Sequence, residues 1–317
     1  MGPHTPPTPL SSPTPILSAL TPAGPEADTL LRLSWLMAIG AVMVWLAVLA
    51  IAWMAARRHG QPLRHARWLI LGGGVAVPAV VLTGLLVYGL WLLPRVRAAV
   101  PPDALRIEVS GEQWWWRVRY PGTAVETANE IHVPVGKQVA LELTSPDVIH
   151  SLWVPALAGK MDMVPGRRNT LVIQADEVGV YRGVCAEFCG ASHAQMRLLV
   201  VAQPIGAFEA WLQAQEQPAR EPSGDVAASG RAAFLRHGCG ACHTARGTPA
   251  NGRVGPDLTH VGSRLELAAG TLPVDAEALQ RWIARPHAAK PGVLMPRFDM
   301  LPRDERAAIA AWLEGLE

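Results

Sequence analysis

The chain has 317 residues, enough for two or three domains. Half of it is hydrophobic and its mean hydropathy is +0.18, high for a soluble protein, while its net charge is only +2. That balance argues against a strongly basic nucleic-acid-binding surface. The 4 cysteines fall in two metal-type motifs, which leaves no surplus thiol for a disulfide framework.

Residues 1–28 are rich in Pro, Thr and Ser and show neither a helical nor a strand period, so they are predicted to be disordered or extended. They lack the basic start of a secretory leader, and no cleaved leader is predicted. Residues 33–55 and 68–93 are almost free of charge. A bilayer core of ~30 Å needs ~20 apolar residues in a helix, and both runs exceed the length usual for a buried core helix. A membrane hairpin is therefore predicted over residues 29–98. Pro78 and the run Gly72, Gly73, Gly74 suit a membrane helix better than a soluble one. The connecting loop carries Arg57, Arg58, Arg64 and Arg67 and no acidic residue, which places it in the cytoplasm by the positive-inside rule. Everything after the hairpin then lies outside the membrane.

From residue 105 to 202 the pattern becomes short alternating runs punctuated by Pro and Gly, as in Arg106-Ile-Glu-Val-Ser and Gln138-Val-Ala-Leu-Glu-Leu-Thr. About a hundred residues of such strands predict a β-sandwich or barrel, with the domain placed at 99–216. Within it, Cys185, Cys189, His193 and Met196 fall within twelve residues, and His150 is the obvious supplier of a further nitrogen. A cysteine pair alone could be a disulfide, a zinc clip or two small buried hydrophobes. Thiolate, thioether and imidazole together favour copper, and thioether is a poor zinc ligand. Trp114, Trp115 and Trp116 cannot all face one side of a strand, so at least one meets solvent or an interface.

A helix-like run at 204–217 closes this domain, and residues 217–225 read as a linker between folded units. In the last unit, 226–317, Cys239-Gly-Ala-Cys242-His243 is the c-type haem attachment motif. Two thiols add to the porphyrin vinyls and the adjacent His points at iron. A redox dithiol fits poorly, because no βαβ pattern surrounds it. Electron-transfer haems usually take a sixth ligand, often Met, and Met295 and Met300 are both available. Helices are predicted at 226–236, 275–284 and 303–316.

C-x-E-x-C-x-x-x-H-x-x-M, preceded by D-V-I-H-S-x-W-V-P, resembles the binuclear copper (CuA) site of the cytochrome c oxidase subunit II family. The resemblance implies bridging thiolates from Cys185 and Cys189, terminal nitrogens from His150 and His193, and weak axial ligation by Met196 and the Glu187 carbonyl. It also implies that the Glu187 carboxylate reaches a magnesium site at the interface with the catalytic subunit. Gly111-Glu-Gln-Trp114 resembles the family's G-H-Q-W segment, in which Trp114 would be the surface residue through which electrons enter from cytochrome c. Glu112 departs from that pattern, which commonly has His. Residues 18–25 are similar to the start of the mature region in bacterial members.

Lys290-Pro-Gly-Val-Leu-Met295-Pro and Gly255-Pro256-Asp-Leu resemble class I cytochrome c segments. They select Met295 as sixth ligand and make the Pro256 carbonyl the acceptor for the His243 N–H. The implied chain is multi-domain: a two-helix transmembrane hairpin, a cupredoxin-like Greek-key β-barrel and a small all-α class I cytochrome c domain, as in caa-type oxidases. The implied role is electron entry, from a donor cytochrome c or another periplasmic carrier through haem c to CuA and on to oxidase subunit I. Subunit III is a further partner, and the setting is the bacterial inner membrane. Other roles stay open on sequence alone: input to a nitric oxide reductase, a copper carrier, or a membrane cytochrome with a merely structural barrel.

Overall fold

A computed structural model describes residues 15–57, 66–96 and 100–317. Helix α1, Pro25–Arg57, and helix α2, Ala66–Pro94, are each long and apolar enough to cross a membrane, and the apolar window of each is unburied. At 1.5 Å per residue, the 33 residues of α1 extend ~50 Å, well beyond a ~30 Å hydrocarbon core. Its first turn meets the β domain, where Glu26 Oε1 accepts from Gly159 N at 3.2 Å. Within α2 the three glycines sit in a wider π-wound stretch, Leu69–Ala76, of the kind a bilayer tolerates. Residues 58–65, with Arg58 and Arg64, lie outside the described residues, as do residues 1–14.

The predicted disorder of residues 1–28 does not extend through their described part. Ile16 pairs with Tyr181 in parallel, donating to the Val180 carbonyl at 2.9 Å and accepting from Arg182 N at 2.9 Å. Further on, Ala23 N donates to the Ala156 carbonyl and Asp176 N to the Ala23 carbonyl, each at 2.7 Å. α1 begins at once, at Pro25, rather than near residue 33. The physical reason is long-range: the strand edge at 180–182 offers unpaired backbone groups, and a polar, Pro-rich segment can satisfy them without any hydrophobic period of its own.

Among the described residues, ten strands form two five-stranded sheets. These are β1 (Leu105–Glu112), β2 (Trp115–Arg119), β3 (Glu126–Ala128), β4 (Glu130–Pro134), β5 (Val139–Thr144), β6 (His150–Trp153), β7 (Met161–Met163), β8 (Asn169–Ile173), β9 (Gly179–Cys185) and β10 (Arg197–Gln203). One sheet has the order β3-β2-β1-β5-β8 and the other β4-β10-β9-β6-β7. The β1–β5 and β4–β10 pairs are parallel and the rest antiparallel. Alternation puts Ile107 and Val109 of β1 inward, facing a core of Trp116, Leu141, Leu143, Leu152 and Val200. Trp116 is a core residue, whereas Trp115 is half-buried beneath the Arg117 guanidinium, 4.6 Å from its ring.

Helix α3, Ile205–Glu216, covers one end of the sandwich, and α4, Asp225–Arg236, opens the last domain. Residues between them do not form a free tether. Ala219 N donates to the Arg246 carbonyl at 2.7 Å, and the Gln217 carbonyl accepts from His260 Nε2 at 3.0 Å. A segment without apolar period is thus held by its backbone, which composition does not reveal. Helices α5, Ala276–Ala284, and α6, Arg303–Glu314, complete the domain, and the side chain of Asp275 caps α5 by accepting from Ala278 N at 2.7 Å. α4 and α6 cross so closely that a Cβ at Gly230 would lie 2.0 Å from the Ala308 carbonyl oxygen. Phe234 meets Trp312 edge to face beside this crossing, with ring centroids 5.0 Å apart.

Candidate copper and haem sites

The end of β9, the turn after it and the start of β6 bring the sulfur and nitrogen donors together. The thiols of Cys185 and Cys189 are 3.8 Å apart. His150 Nδ1 lies 3.9 Å from Cys185 Sγ, and His193 Nδ1 lies 3.6 Å from Cys189 Sγ. Met196 Sδ is 3.8 Å from Cys189 Sγ, and the Glu187 carbonyl accepts from the Cys185 thiol at 3.2 Å. All six sequence-singled residues therefore converge. Soft sulfur and imidazole donors around one thiol pair fit copper and do not resemble the all-oxygen sets of magnesium or calcium. Glu187 is exposed.

Residues to which the motifs assign no ligand role hold these donors in place. His150 sits on strand β6 rather than on a loop. Its Nε2 is 2.9 Å from Asp147 Oδ1, which leaves Nδ1 aimed at Cys185. Gly111 gives the ring room, since a Cβ there would be 3.0 Å from its Cγ and Cδ2. Asp147 stands three residues before His150, and that spacing was the one available signal. Removing its charge should weaken copper binding about 10–100-fold. Competition titration of Asp147→Asn against a copper chelator checks this, and wild-type affinity would contradict it.

Burial raises both thiols. For Cys185 the contact with His150 and nearby backbone groups outweighs that effect, so its thiol falls below the ordinary cysteine value. Cys189, desolvated and facing Cys185, moves up instead.

In the helical domain, His243 Nδ1 lies 2.8 Å from the Pro256 carbonyl, which leaves Nε2 for iron. Burial disfavours the protonated imidazole and pushes its pKa below the ordinary histidine value. A Cβ at Gly255 would sit 2.4 Å from His243 Cε1, so only glycine fits against the ring. Cys239 and Cys242 are free thiols beside it. Met295 packs against the domain's core, whereas Met300 is 69 % exposed. The buried Nε of Arg264 has no partner among the described residues, an unused donor of the kind a haem carboxylate satisfies.

Trp114 departs from the expected surface position: it is buried, with 7 % of its area exposed. Its indole N–H donates to the Cys189 carbonyl at 3.0 Å, and Gln113 Nε2 donates to the same oxygen at 2.7 Å. Over its ring lies Gly292 of the helical domain, where a Cβ would come within 2.8 Å of Cη2. The Lys-Pro-Gly segment that leads to Met295 therefore covers the face that a separate donor would need. Glu112, the departure from the family pattern, is engaged by Arg117, whose Nε donates to it at 2.7 Å.

A family model for cytochrome c oxidase subunit II, periplasmic domain, matches residues 122–203, and a cytochrome c model matches residues 227–317. Cytochrome c oxidase subunit 2 of Alkalihalophilus pseudofirmus is 33 % identical over 320 residues, with 95 % of this chain and 91 % of that protein covered. The chain belongs to the cytochrome c oxidase subunit II family. Its combination of domains is that of a caa3-type fusion. The Bacillus subtilis subunit 2 is 30 % identical over 225 residues, covering 68 % of this subunit II and 63 % of that one. The crystal structure of the periplasmic domain of subunit II (CoxB) from Bradyrhizobium japonicum shares 32 % identity over 37 % of this chain and 96 % of that domain, with a TM-score of 0.36. As a subunit II carrying a cytochrome c domain, the protein serves electron transfer in a haem–copper terminal oxidase, in complex with other oxidase subunits.

Proposed function

We propose that this subunit II is the electron-entry module of a respiratory oxidase of the bacterial inner membrane, with its copper and haem domains on the periplasmic face. Haem c held by Cys239, Cys242, His243 and Met295, and a copper pair held by His150, Cys185, Cys189, His193, Met196 and the Glu187 carbonyl, supply one-electron chemistry between a donor cytochrome and the catalytic subunit I. Oxygen reduction and proton pumping belong to that partner, with subunit III as a further neighbour. The exposed Glu187 carboxylate would offer an oxygen ligand to magnesium at the subunit I interface.

The observation that carries this reading is Trp114. Its N–H holds the backbone of a copper ligand, Cys189, while its ring is covered by the loop bearing the iron's methionine. Trp114 thereby touches both the carbonyl of a copper ligand and the segment that leads to Met295. The Pro256 carbonyl and Asp147 orient the two histidines, and the sandwich restrains the copper-ligand turn at both ends, through β9 and β10. Such a cage limits how far its ligands move when charge changes.

Metal and haem analysis of the purified complex, with electron paramagnetic resonance, tests the reading. Two copper ions in a mixed-valence signal and one covalent haem per chain are expected. Absence of copper, or copper without mixed valence, would remove the copper half of the reading and favour a membrane cytochrome or a carrier.

A further inference from the structure

The reading of residues 217–225 as a tether suggests a haem domain that docks on the copper domain and leaves. The side chain of Lys290 argues for something else. It is only 2 % exposed and has no carboxylate partner among the described ion pairs. Its Nζ donates to the carbonyls of Trp114 at 2.5 Å, Gln195 at 2.9 Å and Ala268 at 3.1 Å. An ammonium has three N–H donors, and each finds one oxygen here. Ala268 belongs to the haem domain, while Trp114 and Gln195 belong to the copper domain. Gln195 directly precedes the copper-site residue Met196, and Lys290 opens the loop that ends in Met295.

A buried lysine of this kind is poor evidence for tight association, because taking its ammonium out of water is costly. It is better evidence for register. The three oxygens converge at one relative placement of the two domains, and a slip of an ångström or two would leave the buried Lys290 nitrogen without its acceptors. Flanking bonds agree with this placement. Ser192 Oγ donates to the Pro291 carbonyl at 2.5 Å, and Gln195 Nε2 donates to the Ala289 carbonyl at 2.7 Å. Farther out, Arg182 clamps Glu266 with both terminal nitrogens, at 2.5 and 3.0 Å.

We infer that Lys290 is a positioning residue for haem-to-copper transfer, fixing the haem domain as a registered cap over Trp114 rather than as a shuttle. The inference rests on the electron path given under Proposed function.

The test uses the assembled oxidase with the full chain. Pulsed electron paramagnetic resonance reads the haem–copper distance distribution, and photoreduction of the haem reads the transfer rate. The wild type should give one narrow distance and a single-exponential transfer that neither glycerol nor salt alters. Lys290→Met should broaden the distances and slow transfer about tenfold or more, with haem and copper spectra unchanged, because ångström misplacements of reacting groups carry penalties of that order. Glu266→Gln, which loosens the outer clamp without touching the cage, should keep the narrow distance. A wild type with broad distances, or with transfer that slows with viscosity, would overturn the inference even if Lys290→Met fails to fold. So would a Lys290→Met protein indistinguishable from wild type, or a Glu266→Gln protein equally disturbed. A wild type that lacks copper, or shows no haem-to-copper transfer, would sink the electron path itself rather than the role of Lys290.

Discussion

Cys189→Ser should leave a folded β-sandwich that no longer holds its copper pair, and electron transfer beyond the haem should be lost. The thiol of Cys189 is the most connected donor in the cluster, within 3.8 Å of Cys185 Sγ and Met196 Sδ and 3.6 Å from His193 Nδ1. A hydroxyl is a harder donor, is not deprotonated at neutral pH, and cannot bridge as a thiolate does. The fold should survive, because the change is nearly isosteric and the core of Ile107, Trp116, Leu141 and Leu152 lies below the site. Copper analysis should show at least one equivalent lost and no mixed-valence signal, while the haem spectrum stays as in wild type. Retention of both copper ions with an unchanged signal would remove Cys189 from the site.

Gly255→Val should abolish normal haem loading in the last domain. Even the first carbon of the new side chain would lie 2.4 Å from His243 Cε1 and 2.8 Å from its Nδ1. The neighbouring backbone cannot yield easily, since Gly255 N donates to the Cys242 carbonyl at 2.8 Å and Pro256 holds the imidazole. The ring must tilt away from the iron position, or the loop must detach from the attachment motif. Overpacking of this kind costs roughly 1–3 kcal/mol in stability, with the loss of axial ligation added to it. Haem-stained gels and the reduced spectrum read the outcome. A variant with wild-type haem content and an unshifted spectrum would show that His243 is not held as described.

Much of this arrangement could be read from residues alone because its signals are local. Cys185 to Met196 and Cys239 to His243 are short runs whose donor types define their chemistry, and two long apolar runs need no partner to be recognised. The alternation of Arg106-Ile-Glu-Val-Ser marks a strand in the same way. What escaped depends on contacts between distant segments. Ile16 completes the open edge of β9 with backbone groups only. The family resemblance places Trp114 at the surface, and nothing near it in sequence announces that Gly292, nearly 180 residues later, lies on its ring. Lys290 belonged to a familiar motif, and its capture by the carbonyls of Trp114 and Gln195 has no sequence period. The linker at 217–225 had the composition of a tether, yet single backbone bonds to Arg246 and from His260 pin it to the haem domain.

The central claim is that this one chain places a haem and a copper pair in series. Flash photoreduction of the haem in the purified oxidase, followed at haem and copper wavelengths together, tests it most directly. Haem reoxidation and copper reduction should proceed with one shared first-order rate constant that does not depend on protein concentration, and Cys242→Ser protein lacking attached haem should receive electrons at its copper far more slowly from the donor cytochrome. Copper reduction by the donor at an undiminished rate without the haem would contradict the account.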